Sequence, residues 1–275
     1  MEDYFTVCYW EQRGGGLSFS PEVTVQSMTY EQLSADAIEV THYLRKRFGK
    51  DKIYIMGHSG GTPIALLSAA KAPQLFHAYI AIAQITHQIE SEKIAYRYLL
   101  EKYAALGNKK AVNELLAYKV FQADANTVKF FKSAVRDRSM HELGIGTMHK
   151  MNSVFRGVFI PVWTCRAYTF REKINIWKSK ISFLPKTGII NELCETDFAD
   201  RVPALEIPVY FMSGKYDLTV NIDLSREYFK KLRAPLKGFY TFEKSAHSPL
   251  LEESGRFRDI LLKDVLQGKN DLADK

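Results

Sequence analysis

Short apolar runs recur along the first 84 residues of the chain and again after residue 200. They are rich in β-branched and aromatic side chains, and this composition is typical of buried β-strands. The predicted strands are residues 4–10, 53–56, 78–83, 207–214 and 238–243.

Amphipathic patterns between these runs predict helices. Thr29, followed three residues later by Gln32, predicts a capping box at the start of one helix, and Gly49 predicts its end. The other helices predicted beside the strands are residues 60–71, 224–233 and 250–268. Strands that alternate with helices predict a mostly parallel α/β sheet.

The alternation stops after residue 84, and the chain becomes mostly helical up to residue 200. The predicted helices here are 91–107, 109–118, 126–137 and 167–181. A segment of this length is too long to be a simple loop. We therefore predict an α/β core formed by residues 1–84 and 201–275, with residues 85–200 inserted as a helical lid.

Composition excludes several classes of protein. A length of 275 residues suits one large domain, or one domain with an insertion. The net charge is +7, but the basic residues are spread over many helices, so no nucleic-acid partner is expected. No apolar run approaches the roughly 20 residues of a membrane span, so no membrane partner is expected. The first residues lack a signal-peptide pattern, and the three scattered cysteines suit a reducing compartment, so the expected location is cytoplasmic.

The motif GHSGG at residues 57–61 joins a predicted strand to a predicted helix. A serine on such a tight turn can project its hydroxyl away from the sheet, towards a base and a substrate. Gly57 and Gly61 are predicted to relieve clashes at the strained turn. Ser59 is thus the candidate nucleophile, and the Gly60 N–H is the candidate oxyanion donor.

An acid and a histidine follow Ser59 in the order that a serine hydrolase of this topology requires. Asp217 comes just after the predicted strand 207–214, and His247 comes just after the strand 238–243. Loops at the carboxyl ends of parallel strands meet at one edge of the sheet. His247 is predicted to accept the Ser59 proton, and Asp217 to orient the imidazole. No metal is predicted, because the other histidines lack ligand spacing, and no cofactor is predicted, because the sequence contains no phosphate-loop or dinucleotide motif. His58 is predicted to pack as a structural residue.

The sequence resembles the α/β-hydrolases, and more narrowly the proline iminopeptidase group of serine hydrolases. Four stretches carry the resemblance: YWEQRGGGLSFSP (9–21), GHSGG (57–61), IPVYFMSGKYD (207–217) and APLKGFYTFEKSAHSPLLEE (234–253). It implies a helical lid above the site and hydrolysis of a small amide or ester.

The sequence departs from the group's pattern at three places. Gly60 stands where the group often has Trp, and Ala246 stands where it has Gly, which predicts strain in the histidine turn. The group's H-G-G-P-G loop, which supplies a second oxyanion donor from an earlier strand, is not found. The chain is therefore expected to be amino-terminally incomplete and impaired or poorly folded alone, since one oxyanion donor is worth ~10²–10³ in rate.

The substrate stays open between a peptide and an ester. An aminopeptidase needs a carboxylate near the substrate amine, and the candidates within the predicted lid are Glu90, Glu92, Glu192, Glu195 and Asp197. A carboxylesterase-type hydrolase is one alternative. The other is a catalytically impaired protein of this fold with a binding role. The oligomeric state is not predicted.

Overall fold

A computed structural model describes residues 2–151 and 153–275. Four parallel strands form one sheet, in which they lie side by side in chain order. The strands are β1 (Ile53–His58), β2 (Phe76–Ile82), β3 (Val209–Gly214) and β4 (Lys237–Phe242). The predicted fold class is confirmed, and four of the five predicted strands are present.

The described residues also form thirteen α-helices, of which some lie beside the sheet and the others follow β2 and precede β3 in the chain. Those beside the sheet are α1 (Tyr30–Phe48), α2 (Gly61–Lys71), α11 (Ile222–Lys231), α12 (Pro249–Glu252) and α13 (Ser254–Ile260). Those between β2 and β3 are α3 (Gln88–Ala105), α4 (Lys109–Leu116), α5 (Asp124–Phe131), α6 (Ala134–Glu142), α7 (Ile160–Thr164), α8 (Phe170–Lys178), α9 (Ile189–Glu195) and α10 (Phe198–Arg201).

The two faces of the sheet are buried in different cores, because successive side chains of a strand point to opposite sides. Phe211 and Phe239 face the core that α1, α2 and α11 cover. Tyr210 and Tyr240 face the opposite core, where α13 packs. The sheet therefore has helices on both faces, as parallel sheets usually do.

The first helices after β2 have a core of their own. Tyr96 and Leu99 of α3 pack with Leu115, Phe130 and Met140 from the following helices. Phe130 lies edge-on to Tyr96, with ring centroids 5.2 Å apart. Residues 85–200, which we name the helical segment, therefore include a packed unit apart from the sheet.

The prediction of a strand over residues 4–10 is wrong, since these residues form no regular strand. Tyr9 is 77% exposed, and Cys8, which a buried strand would have placed in the core, is exposed. High β-propensity describes how a side chain fits a pleated surface, and it does not supply a neighbouring strand for the ladder. β1 pairs with β2 and, within the described residues, with no other strand.

Several predicted helices differ in their ends. The Thr29 side chain accepts the Gln32 N–H, as predicted, but the Gln32 side chain bonds to Asp36 and does not complete a capping box. The predicted helix 126–137 is two helices, because Ser133 caps the second by accepting the Arg136 N–H. A capping serine inside an otherwise helical pattern was the signal for that break.

Other predicted ends also shift. Helix 167–181 is α8 followed by a π-turn over Ser179–Phe183, and helix 250–268 divides into α12, α13 and a π-turn over Leu261–Val265. No helix in the described part of the chain is both long and apolar enough to cross a bilayer.

Candidate active site

Ser59 lies at the sharp turn between β1 and α2, where its backbone adopts a left-handed conformation with φ +53°. This conformation is strained for a residue with a side chain and is typical of functional turns. Gly57 is required here, because a Cβ atom at this position would lie 2.5 Å from the Gly61 carbonyl oxygen. The prediction for Gly61 is wrong: a Cβ atom there, as at Gly60, would meet open space.

Thr62 holds the turn and was not found by the sequence reasoning. Its hydroxyl donates to the Ser59 carbonyl at 2.7 Å and accepts the Ile85 N–H at 3.1 Å. The Ser59 N–H donates to the Ile82 carbonyl at 2.9 Å. The serine backbone is therefore fixed to the end of β2 from two sides. No acceptor for the Gly60 N–H occurs within the described ranges.

Asp217 and His247 meet at the carboxyl ends of β3 and β4. The Nδ1 atom of His247 lies 2.9 Å from Oδ2 of Asp217, and both side chains are buried. The other Asp217 oxygen accepts the N–H groups of Thr219 and Val220, each at 2.9 Å. A carboxylate on Nδ1 selects the tautomer that carries its proton there, which leaves Nε2 as a proton acceptor.

Backbone contacts fix the loop that bears His247. The His247 N–H donates to the Gly146 carbonyl at 3.2 Å, and the Ala246 N–H donates to Glu252 at 2.8 Å. Ala246 lies outside the left-handed region, so the predicted strain at this residue is wrong. The glycine that this loop requires is Gly214, where a Cβ atom would lie 1.9 Å from the Ala246 carbonyl oxygen.

His58 connects the serine turn to the histidine loop. Its Nε2 atom lies 2.8 Å from the His247 carbonyl oxygen, so this nitrogen is the donor. The two imidazole rings are 5.0 Å apart between centroids. No hydrogen bond between the Ser59 hydroxyl and the His247 imidazole occurs among residues 2–151 and 153–275. His58 was predicted only to pack, yet it bonds to the residue that bears the candidate base.

The titration of His58 should make stability depend on pH. Burial, with the nearby charge of His247, lowers the pKa of His58 to about 4 from 6.5. Between pH 6.5 and 4 the unfolded chain therefore binds a proton that the folded chain rejects, and stability falls as the pH falls. We expect His58→Gln, which keeps a donor but does not titrate, to remove about 2 kcal/mol of the loss between pH 7 and 4.5.

Urea unfolding at the two pH values measures this difference. The control is His42→Gln, which makes the same substitution at an exposed histidine of α1. Equal pH dependence in the wild type and His58→Gln would show that His58 does not contribute.

The carboxylates proposed for a substrate amine mostly have partners already. Glu92 is fully buried, and both its oxygens bond to Arg136. Glu192 accepts the Tyr30 N–H, and Asp197 caps α10. Glu90 pairs with Lys93, while Glu195 is exposed. Four of the five carboxylates therefore already have a partner within the described residues.

A groove lies beside the histidine loop. It measures about 820 Å³, and its lining includes Met148, Met151 and Arg156 on one side and Lys244 and Glu252 on the other. Ser59, Asp217 and His247 do not line it. No group of three or more potential metal ligands occurs within residues 2–151 and 153–275.

Comparison with known proteins shows the family to which this fold belongs. A family model described as the alpha/beta hydrolase fold matches residues 2–254. The chain belongs to the α/β-hydrolase family. Like its relatives, it is a hydrolase. The resemblance to the α/β-hydrolases that the sequence motifs indicate is confirmed.

Three similar proteins illustrate the relationship. The probable aminopeptidase YbaC of Bacillus subtilis (strain 168) is 33% identical over 261 residues, which cover 95% of this hydrolase and 80% of the relative. The proline iminopeptidase of Saccharolobus solfataricus is 24% identical over 268 residues, covering 93% and 74%. The crystal structure of VinJ aligns with a TM-score of 0.61 at 17% identity, covering 94% and 79%, and shows the shared fold.

Proposed function

We propose that this hydrolase releases the amino-terminal residue of small peptides by acyl transfer to Ser59, in the manner of a proline iminopeptidase. His247 acts as the base and Asp217 as its orienting acid, while the Gly60 N–H stabilises the oxyanion. The observation that supports the proposal most strongly is the buried hydrogen bond between Asp217 and His247, next to the strained serine turn. Of the similar proteins named above, one is called a probable aminopeptidase and another a proline iminopeptidase.

The proposed chemistry has two steps. Nε2 of His247 takes the Ser59 proton while Oγ attacks the substrate carbonyl, and the resulting imidazolium is stabilised by Asp217. The imidazolium then protonates the leaving amine, and an acyl-enzyme remains. Water, activated by the same imidazole, attacks this ester and restores the serine. The Gly60 N–H, which begins the positive end of α2, opposes the developing oxygen charge.

We further propose that the helical segment acts as a lid over this site. Its own core supports this role. So do its contacts with both catalytic loops, where the carbonyls of Gly146 and Ile145 accept the N–H groups of His247 and Leu218. All three cysteines are free thiols, which supports action in a reducing cytoplasm.

A carboxylesterase activity is the second candidate. The carboxylates Glu92, Glu192 and Asp197 already have structural partners, and this favours a substrate without a free amine. An ester needs only the nucleophile, the base and the oxyanion donor.

Paired substrates separate the two candidates. We expect hydrolysis of proline β-naphthylamide, and a drop in kcat/KM of at least about 100-fold for its N-acetylated form, because a site that binds an ammonium group rejects a blocked one. p-Nitrophenyl acetate, which has no amine, serves as the ester reference.

An esterase would cleave the acetate ester and would leave the naphthylamides intact. Turnover of the acetate ester with no cleavage of either naphthylamide would overturn the aminopeptidase proposal and retain the serine mechanism. If no substrate is cleaved and a fluorophosphonate probe fails to label Ser59, the chain would instead be a binding protein of this fold.

A further inference from the structure

Most of the net positive charge of the chain lies in one stretch of the helical segment, because the many basic residues elsewhere are balanced by acidic ones. Residues 153–186, which we name the basic segment, hold seven Lys or Arg residues and one Glu, a net charge of +6 out of +7. The rest of the chain has 31 basic and 30 acidic residues. Within the described residues, none of the seven cations forms an ion pair. Six of them are exposed: Arg156, Arg166, Arg171, Lys178, Lys180 and Lys186.

The apolar side chains of the basic segment are also exposed to an unusual degree. No hydrophobic side chain of residues 153–186 is buried, although Ile145 before this segment and Ile189 after it are. Phe155 is 59% exposed, Phe170 70% and Ile181 68%. Large apolar side chains left together on a surface indicate an interaction site.

Aromatic contacts place these exposed residues on one surface. Phe155 stacks on Phe159 with centroids 5.0 Å apart, and Phe159 contacts Trp163 at 6.0 Å. Trp163 in turn contacts Phe170 at 5.8 Å. Phe155 and Phe170 therefore lie at two ends of one aromatic cluster. Phe159 also contacts Trp177 of α8, with centroids 5.1 Å apart, and Ile181 lies in the π-turn that directly follows α8.

We propose that the basic segment docks this hydrolase onto the surface of an anionic lipid bilayer. Exposed lysines and arginines are attracted to acidic headgroups, and phenylalanine and isoleucine side chains enter the boundary with the acyl chains. The two signals together hold a protein at a membrane, whereas either alone binds weakly. The contact is peripheral and needs no spanning helix. It departs from the expectation of no membrane partner, which rested on the lack of an apolar run long enough to span a bilayer.

The aliphatic part of the surface favours a lipid over a nucleic acid. A nucleic acid would use the same cations for its phosphates and would stack bases on aromatic rings. Ile181 and the exposed Ile160 and Val154 offer nothing to a phosphate or a base, but they add apolar area that an acyl layer can cover.

Vesicle binding by the full chain tests the proposal. We expect the protein to float with vesicles of 70% phosphatidylcholine and 30% phosphatidylglycerol in 100 mM KCl, and to stay behind with pure phosphatidylcholine. The variant Lys178→Glu/Lys180→Glu should bind at least about tenfold more weakly. So should Phe155→Ser/Phe170→Ser/Ile181→Ser. The matched control, Lys109→Glu/Lys110→Glu on exposed positions of α4, carries the same charge change and should bind as the wild type does.

The native tryptophans provide a second measurement that needs no surface variant. In Trp10→Phe protein, only Trp163 and Trp177 of the basic segment emit, and brominated lipids should quench them. Absence of flotation and of quenching would overturn the proposal. If Lys109→Glu/Lys110→Glu weakened vesicle binding as much as Lys178→Glu/Lys180→Glu, the proposal would also be overturned, because net charge alone would explain the binding. Binding to duplex DNA that exceeds vesicle binding and ignores the triple apolar change would assign the surface to nucleic acid.

Discussion

Replacing Ser59 with alanine is expected to reduce hydrolysis of p-nitrophenyl acetate about 10⁴-fold, or to the uncatalysed rate. The reason is that Oγ of Ser59 is the protein atom proposed to form the covalent bond with the substrate carbonyl carbon. The backbone turn should survive, because alanine accepts the left-handed conformation no worse than serine does. Initial rates and fluorophosphonate labelling measure the effect.

Two further variants provide a control for Ser59→Ala and a test of the proposed acid. Ser254→Ala makes the same chemical change at an exposed position of α13 and should leave the rate unchanged. Asp217→Asn keeps an oxygen for the Thr219 and Val220 N–H groups but removes the charge opposite His247, and should also cost about 10⁴ in rate. Turnover that persists in Ser59→Ala would refute the assignment of the nucleophile.

The same assay examines the expectation that the chain is impaired alone. A wild-type rate that is low yet depends on Ser59 would agree with a single oxyanion donor at Gly60. A high, Ser59-dependent rate would refute the impairment. The effect of Ser59→Ala on the rate tests the nucleophile. The size of the wild-type rate separately tests the oxyanion arrangement.

The order of the elements and the position of the candidate site could be predicted from local patterns. Buried parallel strands are continuous apolar runs, and Asp217 and His247 each follow such a run, so their meeting at one edge comes from topology. The glycines show the limit of this reasoning. Gly57 is needed because it faces the first turn of α2, and Gly214 because the histidine loop crosses it. The need for Gly57 was predicted from the serine motif, whereas nothing in the sequence around Gly214 shows its contact with the histidine loop.

Features that depend on distant partners could not be predicted. Residues 4–10 have the composition of a strand but no ladder partner, and they stay irregular. Thr62 and His58 appear ordinary in the sequence, and their roles appear only when β2 and the histidine loop are brought beside them. Arg136, the partner of Glu92, lies 44 residues away in the sequence. The sequence therefore could not show whether Glu92 forms a structural ion pair or binds the substrate amine.

The pair of Glu92 and Arg136 should dominate the stability of the helical segment. Glu92 is 0% exposed, and Arg136 reaches it with two nitrogens, at 2.6 and 3.0 Å. Gln88 bonds to Glu92 and to the Thr219 carbonyl, so the pair also supports the loop of Asp217. Arg136→Met leaves a buried carboxylate without its counter-ion, and we expect it to lower the free energy of unfolding by about 3–5 kcal/mol.

Arg138→Met is the matched control for this loss, because it removes the same side chain two residues later on α6. Arg138 is half-exposed and pairs with Glu114 at the surface, so its removal should cost at most about 1 kcal/mol. Urea unfolding of both variants measures the difference. The double variant Glu92→Leu/Arg136→Met should be less destabilised than the sum of its single changes, since no isolated charge remains buried. Similar losses for Arg136→Met and Arg138→Met would contradict the inference and would mean that water reaches Glu92 in the folded chain.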